Sequence, residues 1–344
     1  MKFDENAVNI DWDALTFDVY PTRSMFFATC EEDGKWNEGS LIPFGPIEMS
    51  PAAGALNYGQ GVFEGTKAYR TAKDRVVLFR PQMNAERMVN SARRLCIPPP
   101  SEDFFMNAVV QTVRDNIAYV PPLGKGSLYI RPIVWGTGAV LGVKPAPSYT
   151  FIVYVSPVGP YFKHGVKPLH LTVTREYHRA APKGIGNAKA IGNYSASLYP
   201  LKLAKEKAYD EVIYLNATDD HHVEEVGSAN LFALIGNTLK TPRLAGSILP
   251  GITRDSVLTL AKEELHLDTQ ETDLTIEELL QADEAFCTGT AVVVTPIGKI
   301  TLEDKTYTIQ SGEIGPVTAK LRSMLIDIQR ERREDPFGWV YPLT

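Results

Sequence analysis

The chain has 344 residues, 44% of them hydrophobic and 22% charged, which is enough for two ordinary domains with cores of normal size. Its net charge of −6 argues against a large nucleic-acid-binding surface. Three widely separated cysteines, an N-terminus without an apolar signal core and the lack of any membrane-length apolar run predict a soluble cytoplasmic protein with no disulfide framework and no membrane partner.

The first 158 residues mix short strands with helices. Runs of aromatic and β-branched residues predict strands at 24–29, 66–70, 76–79, 127–135 and 149–155. Helices are predicted at 83–96, where three prolines follow, and at 104–119, where apolar residues recur every four positions. A segment rich in proline and glycine then indicates a linker at 159–167. We therefore predict a smaller N-terminal domain, 1–158, and a larger C-terminal domain, 168–344.

The C-terminal part repeats this mixture without a regular strand–helix–strand order. Strands are predicted at 169–174, 211–215, 231–235, 284–287 and 292–295. Helices are predicted at 196–207, 254–265 and 316–330, the last with proline at its first position. This order predicts an α+β fold with mixed or antiparallel sheets rather than alternating βαβ units.

The segment 183–194 contains the strongest candidate for chemistry. Lys189 lies between two alanines in a run of glycines and asparagines, so its amine could approach a ligand without obstruction. Arg175, His178, Arg179 and Lys183 precede it, and nearby positive charge lowers a lysine pKa and makes the amine nucleophilic. The alternative is an ordinary solvated loop. A dinucleotide-binding fingerprint fits less well, because Lys189 occupies the position of the third glycine.

Other segments carry weaker signals. Glu224 and Glu225 precede a glycine turn, where a carboxylate could hold a ring nitrogen in its protonated form or could simply be solvated. The Pro250-Gly251 turn opens into a predicted helix, whose N-terminus is either an anion site or an ordinary cap. Thr290 follows a predicted strand in a segment that a ligand could approach closely or that forms a simple turn.

Two further groups have simple structural alternatives. Arg80 and Arg87 flank the start of a predicted helix, where an arginine could pair with phosphate or lie on the surface. His221 and His222 stand beside two aspartates, but neighbouring side chains point in different directions and no third ligand has metal spacing. We therefore predict no metal site.

Taken together, these segments resemble the branched-chain amino acid aminotransferases, which are fold type IV pyridoxal-phosphate enzymes. The resemblance extends from about residue 20 to residue 339. Seven motifs occur in the family's order: Tyr58-Gly-Gln-Gly-Val-Phe63-Glu-Gly, Leu78-Phe-Arg-Pro, Tyr129-Ile-Arg131-Pro, Lys189-Ala-Ile-Gly-Asn-Tyr194, Glu225-Val-Gly-Ser-Ala-Asn-Leu-Phe, Leu249-Pro-Gly-Ile-Thr-Arg and Gly289-Thr290-Ala. The fold implied is the two-domain, D-amino acid aminotransferase-like α+β fold.

The resemblance implies that pyridoxal 5′-phosphate is the cofactor. Lys189 would form a Schiff base with it and would act as the general acid and base. Tyr194 would bond the 3′ oxygen of the cofactor. Glu225 would keep the pyridine nitrogen protonated, so that the ring can accept electrons.

The phosphate contacts implied by the family come from three segments. Arg87 would bind the phosphate, together with backbone groups of Ile252 and Thr253 at a helix start and with Thr290. Arg80 belongs to the Leu-Phe-Arg-Pro motif and is the weaker candidate for a cofactor contact.

The implied reaction transfers the amino group of L-leucine, L-isoleucine or L-valine to 2-oxoglutarate, in branched-chain amino acid biosynthesis or degradation. Tyr58, Phe63 and Tyr129 would line an apolar pocket for the branched side chain. Arg131 would receive the distal carboxylate of glutamate, since a buried unpaired charge is costly. The α-carboxylate would be bound by Ser228 and by the backbone at Thr290 and Ala291.

The family also implies a homodimer in which Tyr58 or Arg131 serves the partner's active site. Three alternatives remain on sequence grounds. A D-amino acid aminotransferase or an aminodeoxychorismate lyase would keep the fold and cofactor but change the substrate. A protein that binds a small phosphate without turnover would keep only the binding site. A structural or nucleic-acid-binding protein agrees poorly with the net charge and with the clustered motifs.

Overall fold

The computed structural model describes residues 8–159 and 166–343, which form two compact units. Unit 1 contains residues 8–159, 188–192 and 327–343, and unit 2 contains residues 166–187 and 193–326. The segments 188–192 and 327–343 therefore belong to unit 1, although the sequence predicts them in the C-terminal domain. Most of the predicted linker, 159–167, lies outside the described residues, so its position stays a prediction.

The strands follow one another along the chain and differ widely in length. They are β1 Ser24–Cys30, β2 Ser40–Pro43, β3 Gly61–Phe63, β4 Thr66–Arg70, β5 Val76–Phe79, β6 Ser127–Gly136, β7 Tyr149–Val158, β8 Leu169–Thr174, β9 Glu211–Leu215, β10 Val223–Val226, β11 Ala229–Ile235, β12 Thr238–Pro242, β13 Asp268–Thr272, β14 Glu284–Gly289, β15 Val293–Leu302, β16 Lys305–Thr308 and β17 Val340–Pro342.

The helices stand singly or in pairs between runs of strands and include several short ones. They are α1 Gly54–Tyr58, α2 Pro81–Arg94, α3 Glu102–Asp115, α4 Gly192–Ser195, α5 Leu198–Glu206, α6 Ile252–Glu263, α7 Ile276–Leu280 and α8 Pro316–Gln329. Single 3₁₀ turns occur at Ile117–Tyr119 and Gln310–Gly312. Within the described ranges, none of these helices combines the length and apolarity needed to cross a membrane.

Unit 1 is built on an antiparallel sheet with the strand order β17-β5-β4-β6-β7-β1-β2, and β3 pairs with β6. The helices α2 and α3 bury apolar side chains such as Met88, Phe105 and Val109 in a core shared with Leu128 and Phe151 of the sheet. The C-terminal strand β17 pairs with β5, and this pairing explains why the end of the chain belongs to unit 1.

Helix α3 is shorter than the sequence predicts. It begins after Ser101, whose hydroxyl accepts a hydrogen bond from Phe104 N at 3.2 Å, as expected for an N-cap. It ends at Asn116, whose side-chain amide donates to Ser24 O at 3.0 Å and to Thr112 O at 2.8 Å. Because these bonds tie the chain to β1, the apolar periodicity continues through a separate 3₁₀ turn and not through the helix.

Unit 2 contains a mixed sheet with the order β10-β9-β8-β15-β14-β11-β12-β13, and β16 pairs with β15. An additional pairing of β10 with β11 closes six of these strands into a ring. The core inside includes Leu171, Ile213, Leu231 and Ile300, each fully buried. The pairs β8–β9, β8–β15 and β12–β13 are parallel, and the other pairs are antiparallel.

Helix α8 begins against a buried carboxylate. Glu284, on β14, accepts hydrogen bonds from the backbone N–H groups of Val317 at 3.0 Å and Thr318 at 2.8 Å. The first N–H groups of a helix lack intrahelical partners, and the dipole favours a negative charge there. A side chain at Gly315 would place its Cβ 2.0 Å from Glu284 Cδ, so glycine permits this close approach.

Strand β10 was not predicted, and its composition explains why. It contains Glu224 and Glu225, which are both buried, with 2% and 1% of their surfaces exposed. The register between β9 and β10 shifts between Val223 and Glu225, which is a local bulge. Since consecutive residues of a regular strand face opposite sides, the bulge helps to bury both carboxylates.

Candidate active site

The main chain at Lys189 is held on both sides within unit 1. Its N–H donates to the hydroxyl of Ser91 on α2 at 2.9 Å, and its carbonyl accepts from Phe63 N at 3.0 Å. The next residue, Ala190, forms a bridge with Val62 on β3 and is fully buried. The Lys189 ammonium nitrogen lies 4.8 Å from the centre of the Phe63 ring. The lysine backbone is thus fixed to β3 and α2.

Arg87 and Glu64 form a bidentate ion pair in the same unit. Arg87 Nε donates to Glu64 Oε1 at 2.7 Å, and an Nη group donates to Oε2 at 2.8 Å. Asn84 adds a bond to Oε2 at 2.7 Å. Burial of Glu64 raises its pKa, but the charge and hydrogen bonds of Arg87, with the charge of Lys189, lower the pKa below its usual range. Glu64 is therefore ionised although fully buried.

Three of the predicted substrate residues lie together in unit 1. The guanidinium carbon of Arg131 lies 4.6 Å from the centre of the Phe63 ring and 5.2 Å from that of Tyr129. An Nη group of Arg131 also donates to the Tyr129 hydroxyl at 3.1 Å. A Cβ at Gly65 would lie 2.2 Å from this hydroxyl, so the glycine makes room for Tyr129. The cluster combines an apolar surface with a cation.

Tyr58 and Arg80 each contact residues outside the cluster of Arg131, Phe63 and Tyr129. The hydroxyl of Tyr58 donates to the carbonyl of Leu141, and 41% of the tyrosine is exposed. Arg80 lies over the ring of Trp339, with 4.9 Å between the guanidinium carbon and the ring centre. The backbone N–H of Arg80 donates to the carbonyl of the same tryptophan at 2.8 Å. Arg80 thus has a structural role in attaching the C-terminal segment to unit 1.

Glu225 in unit 2 is buried against an arginine. Its Oε2 atom lies 2.7 Å from Arg179 Nε. Its Oε1 atom accepts a hydrogen bond at 3.0 Å from Asn230, which also donates to Leu249 O at 3.0 Å. The carboxylate therefore has a buried cationic partner and a fixed orientation, and Asn230 links it to the Leu249-Pro-Gly turn.

A small cavity of unit 2 opens at this carboxylate. It is lined by Arg179, Asn193, Tyr194, Ser197, Glu225, Gly227, Ser228 and Leu249. Three residues predicted from the sequence, Tyr194, Glu225 and Ser228, therefore share one cavity. The loop around Arg179 packs closely here, because a Cβ at Gly186 would lie 2.1 Å from Ser247 O.

The residue before Glu225 is a second buried carboxylate. Glu224 accepts hydrogen bonds from the Ser247 hydroxyl and, at 3.2 Å, from Asn216 Nδ2. Burial raises its pKa above the usual range, although Ser247 and Arg179 act in the opposite direction. Because Arg179 also donates to Ser247 O, one arginine connects the surroundings of both glutamates.

Helix α6 begins at the Pro-Gly turn that Asn230 holds. Its N-cap is Gly251, which has no side chain with which to cap the helix start. Ile252 and Thr253, in the first turn, are 7% and 8% exposed. The first N–H groups of a helix have no intrahelical partners and form a favourable anion site. A Cβ at Gly251 would lie 1.9 Å from Asn230 Oδ1, so the turn requires glycine.

The end of β14 provides small polar groups. Thr290 and Ala291 follow the strand and are half-buried. Shortly before them, Thr288 is paired in register with Asn230. Its hydroxyl is buried and has no hydrogen-bond partner among residues 8–159 and 166–343. A buried hydroxyl without a partner is unusual in a protein and indicates a site that another group completes.

Three of the four basic residues that precede Lys189 in sequence have partners of their own. Arg175 donates to Asp220 O at 2.7 Å, and His178 Nε2 lies 2.7 Å from Asp220 Oδ1. Arg179 is held by Glu225 and Ser247. Their proximity in sequence therefore reflects separate contacts within unit 2.

Comparison with known proteins places these residues in a family. Residues 61–300 match the model of the amino-transferase class IV family. A chloroplastic branched-chain-amino-acid aminotransferase 5 of Arabidopsis thaliana is 48% identical over 335 residues, covering 97% of this chain and 80% of the relative. The chain belongs to the branched-chain amino acid aminotransferases. The mitochondrial branched-chain amino acid aminotransferase 1 of Humulus lupulus is also 48% identical, over 98% of this chain and 86% of its own.

Solved structures support the same assignment. A branched-chain amino acid aminotransferase of Escherichia coli superimposes with a TM-score of 0.81 at 30% identity, covering 94% of this chain and all of the other. Another solved branched-chain amino acid aminotransferase, which contains pyridoxamine 5′-phosphate, also gives a TM-score of 0.81, at 29% identity over 95% of this chain. The predicted fold class, the aminotransferase activity of a branched-chain amino acid enzyme and the cofactor pyridoxal phosphate are therefore confirmed.

The prediction of a cytoplasmic protein is wrong by the same comparison. The Arabidopsis and Humulus relatives above are named as chloroplastic and mitochondrial. Net charge and cysteine usage reflect solubility and redox conditions. Neither property distinguishes the cytosol from the interior of an organelle, and this is why the sequence argument failed.

The residues of this aminotransferase fit pyridoxal phosphate. Glu225 is a buried carboxylate beside Arg179, which suits a protonated ring nitrogen. The start of α6 at Gly251 and the buried Thr288 hydroxyl suit a group with many acceptor oxygens, and the phosphate of the cofactor is such a group. Lys189, the lysine predicted to form the Schiff base, has its backbone held by Ser91 and Phe63.

Sequence reasoning did not assign roles to four residues that the structure connects with the predicted ones. These are Glu64, Ser91, Arg179 and Asn230. Glu64 and Asn230 belong to the quoted motifs, and Arg179 belongs to the basic group before Lys189, so their positions carried a signal. Their partners were not predictable, because most of these contacts join segments that are far apart in sequence.

Proposed function

We propose that this enzyme exchanges the amino group of L-leucine, L-isoleucine or L-valine with 2-oxoglutarate. Glutamate and the branched 2-oxo acid are the other substrate pair. The observation that supports this most directly is the cluster of Arg131 with Phe63 and Tyr129. A branched alkyl group needs the two rings, and the distal carboxylate of glutamate needs the guanidinium.

Lys189 moves the proton in this proposal. When bound, pyridoxal phosphate acts as an electron sink that stabilises negative charge at the substrate Cα. The Lys189 amine would take the proton from the substrate Cα and would carry it to the bound cofactor. The bonds from Ser91 and Phe63 hold the lysine backbone, so that only the flexible side chain moves.

Glu225 holds the ring nitrogen. Its Oε2 atom faces Arg179 at 2.7 Å, so the buried carboxylate has a cationic partner. A carboxylate in this position accepts a hydrogen bond from a protonated pyridine nitrogen. Tyr194, on the same cavity of unit 2, bonds the 3′ oxygen of the cofactor.

In this proposal, backbone groups of a helix and a loop bind the two anionic groups, which are the cofactor phosphate and the substrate α-carboxylate. The start of α6 at Ile252 and Thr253 receives the cofactor phosphate, with Arg87 and Thr290 as further partners. Ser228 and the backbone at Thr290 and Ala291 receive the α-carboxylate of the substrate. Half-buried backbone N–H groups bind carboxylates of any amino acid, so these contacts do not discriminate among side chains.

A homodimer is part of the proposal. Leu141 and Val143, in the loop that accepts the Tyr58 hydroxyl, are 94% and 87% exposed. Large apolar side chains that are almost fully exposed indicate a surface that a partner covers. We expect that a second copy of the chain covers this loop and that Tyr58 or Arg131 serves the partner's site. If Lys189→Ala and Arg131→Ala subunits are mixed, recovery of activity in the mixed dimer supports this arrangement, and no recovery contradicts it.

The absorption spectrum of the purified enzyme tests the substrate class. We expect a visible band of bound pyridoxal phosphate that converts to the pyridoxamine form on addition of L-leucine, and that 2-oxoglutarate restores. D-Alanine should leave the band unchanged. A band that responds to D-alanine but not to L-leucine would assign a different substrate, and a protein that binds no pyridoxal phosphate would contradict the proposal as a whole.

A further inference from the structure

Glu64 is a buried charge that none of the roles above uses. It follows Phe63 at the end of β3, and no part of its surface is exposed. Burying a carboxylate is costly unless it is paired and hydrogen-bonded. Glu64 meets this condition, because it accepts hydrogen bonds from Arg87 through both oxygens and a third from Asn84.

The same short segment is attached to Lys189. The N–H of Phe63 donates to Lys189 O at 3.0 Å, and Ile191 N donates to Gly61 O at 3.0 Å. Glu64 N donates to Pro132 O at 2.8 Å, so its own backbone is also fixed. The carboxylate therefore connects Arg87 on α2 to the strand β3, which is hydrogen-bonded to the segment that contains Lys189.

We propose that Glu64 is a positioning residue that orients Arg87 toward the phosphate of the cofactor. This inference rests on the proposed phosphate contact of Arg87. Arginine presents its N–H groups in a planar fork. With Nε–H and one Nη–H directed at Glu64, the opposite edge of the guanidinium is directed away from the carboxylate, and this edge is the one suited to a phosphate oxygen.

Electrostatic repulsion alone would predict that Glu64 weakens the binding of the phosphate. A carboxylate near a phosphate repels it, so neutralising Glu64 should strengthen phosphate binding if repulsion dominates. If orientation dominates, neutralising Glu64 releases a long flexible side chain and weakens binding. The bidentate geometry, with two charged hydrogen bonds at 2.7 and 2.8 Å, favours orientation. The sign of the change in affinity therefore distinguishes the two effects.

The test compares cofactor with and without its phosphate. The full-length protein is stripped of cofactor and titrated with pyridoxal phosphate and with pyridoxal, and binding is followed by absorption. For Glu64→Gln we expect a dissociation constant for pyridoxal phosphate that is raised about tenfold or more. The constant for pyridoxal should be unchanged. Glu86→Gln on the exposed face of α2 is the matched control and should leave both constants unchanged.

Two further variants separate the possible failures. Arg87→Met should weaken the binding of pyridoxal phosphate in the same way. The double variant should lose no more affinity than Arg87→Met alone. If Arg87→Met does not weaken the binding of pyridoxal phosphate, the proposed phosphate contact is wrong. If Arg87→Met weakens this binding but Glu64→Gln leaves it unchanged or makes it tighter, only the positioning role of Glu64 is wrong.

If Glu64→Gln lost equal affinity for pyridoxal and for pyridoxal phosphate, the inference would also be overturned, because Glu64 would then have a general structural role. If Glu64→Gln does not fold, Glu64→Asp replaces it, since this variant keeps the charge but is too short to bond both nitrogens as glutamate does. The inference then requires the same selective loss of pyridoxal phosphate, and unchanged or tighter binding would overturn it.

Discussion

Arg179 Nε lies 2.7 Å from Glu225 Oε2, and the same guanidinium donates to the carbonyl of Ser247. Both side chains are buried, with 9% and 1% of their residue surfaces exposed. The contact joins the loop before Lys189 to the strand that contributes Glu225. It gives the acidic residue of the family motif a permanent positive partner, which the local sequence around Glu225 does not contain.

Replacing Arg179 by methionine should leave Glu225 as a buried charge without its cation. Losing one partner of a buried ion pair costs about 3–5 kcal/mol of stability. We also expect turnover of L-leucine to fall about 10- to 100-fold, because the carboxylate is no longer oriented. Urea unfolding and steady-state kinetics measure both effects. The control is Arg175→Met, an exposed arginine of the same loop, and equal effects of the two substitutions would contradict the prediction.

Lys189→Ala should abolish transamination, because no other group is proposed to move the proton at the substrate Cα. The assay is the conversion of L-leucine and 2-oxoglutarate to glutamate. Lys183→Ala, in the same segment but exposed, should retain most of the activity. Substantial turnover by the Lys189 variant would overturn the assignment of the catalytic base.

Gly251→Ala should disturb the proposed phosphate site through Asn230. The new Cβ would lie 1.9 Å from Asn230 Oδ1, so the amide must move and release Glu225 or Leu249. We expect a loss of about 1–3 kcal/mol in stability, typical of overpacking, and weaker binding of pyridoxal phosphate.

Two matched variants test this explanation. At Gly45, no residue of 8–159 and 166–343 other than its two chain neighbours lies within 4 Å of an added Cβ, so Gly45→Ala should change neither quantity. Adding Asn230→Ala to Gly251→Ala removes the clash. If Asn230 transmits the effect, the double variant should be no less stable than Asn230→Ala alone, and additive losses would argue against it.

Glu331 should contribute stability that depends on pH. Its carboxylate accepts hydrogen bonds from Arg75 at 2.7 Å and Thr71 at 2.8 Å, and only 5% of the side chain is exposed. The bonds from Arg75, opposed by burial and assisted by Thr71 and Lys73, lower the pKa of Glu331 to about 2. A depressed pKa stabilises the folded state above the pKa of the unfolded chain, and this contribution is lost as pH falls toward 2.

Thermal unfolding from pH 7 to pH 3 measures this contribution. Glu331→Gln should lower the melting temperature at pH 7, and its difference from the wild type should shrink as pH falls below about 4.3. Glu334→Gln, on a nearby residue outside this ion pair, is the control and should show little change. A difference that stays constant over this range would contradict the assigned pKa.

Much of the secondary structure followed from local pattern. The strands at Thr66–Arg70, Val76–Phe79, Leu169–Thr174 and Glu211–Leu215 have the predicted bounds. Helix α6 begins two residues earlier than predicted, at the proline–glycine turn. The strands that were missed, such as β10 and β12, are short or contain buried charges, and their stability depends on pairing with neighbouring strands.

The sequence alone determined the family, the fold class and the cofactor, and it predicted Lys189 and Glu225 as site residues, because these depend on motifs whose residues are contiguous. Only the tertiary structure decided the partners: Glu64 for Arg87, Arg179 for Glu225, and Asn230 for both Glu225 and the start of α6. A buried charge is stable only beside a compensating group. That group can come from any segment that the fold brings near, and no local pattern specifies which segment it is.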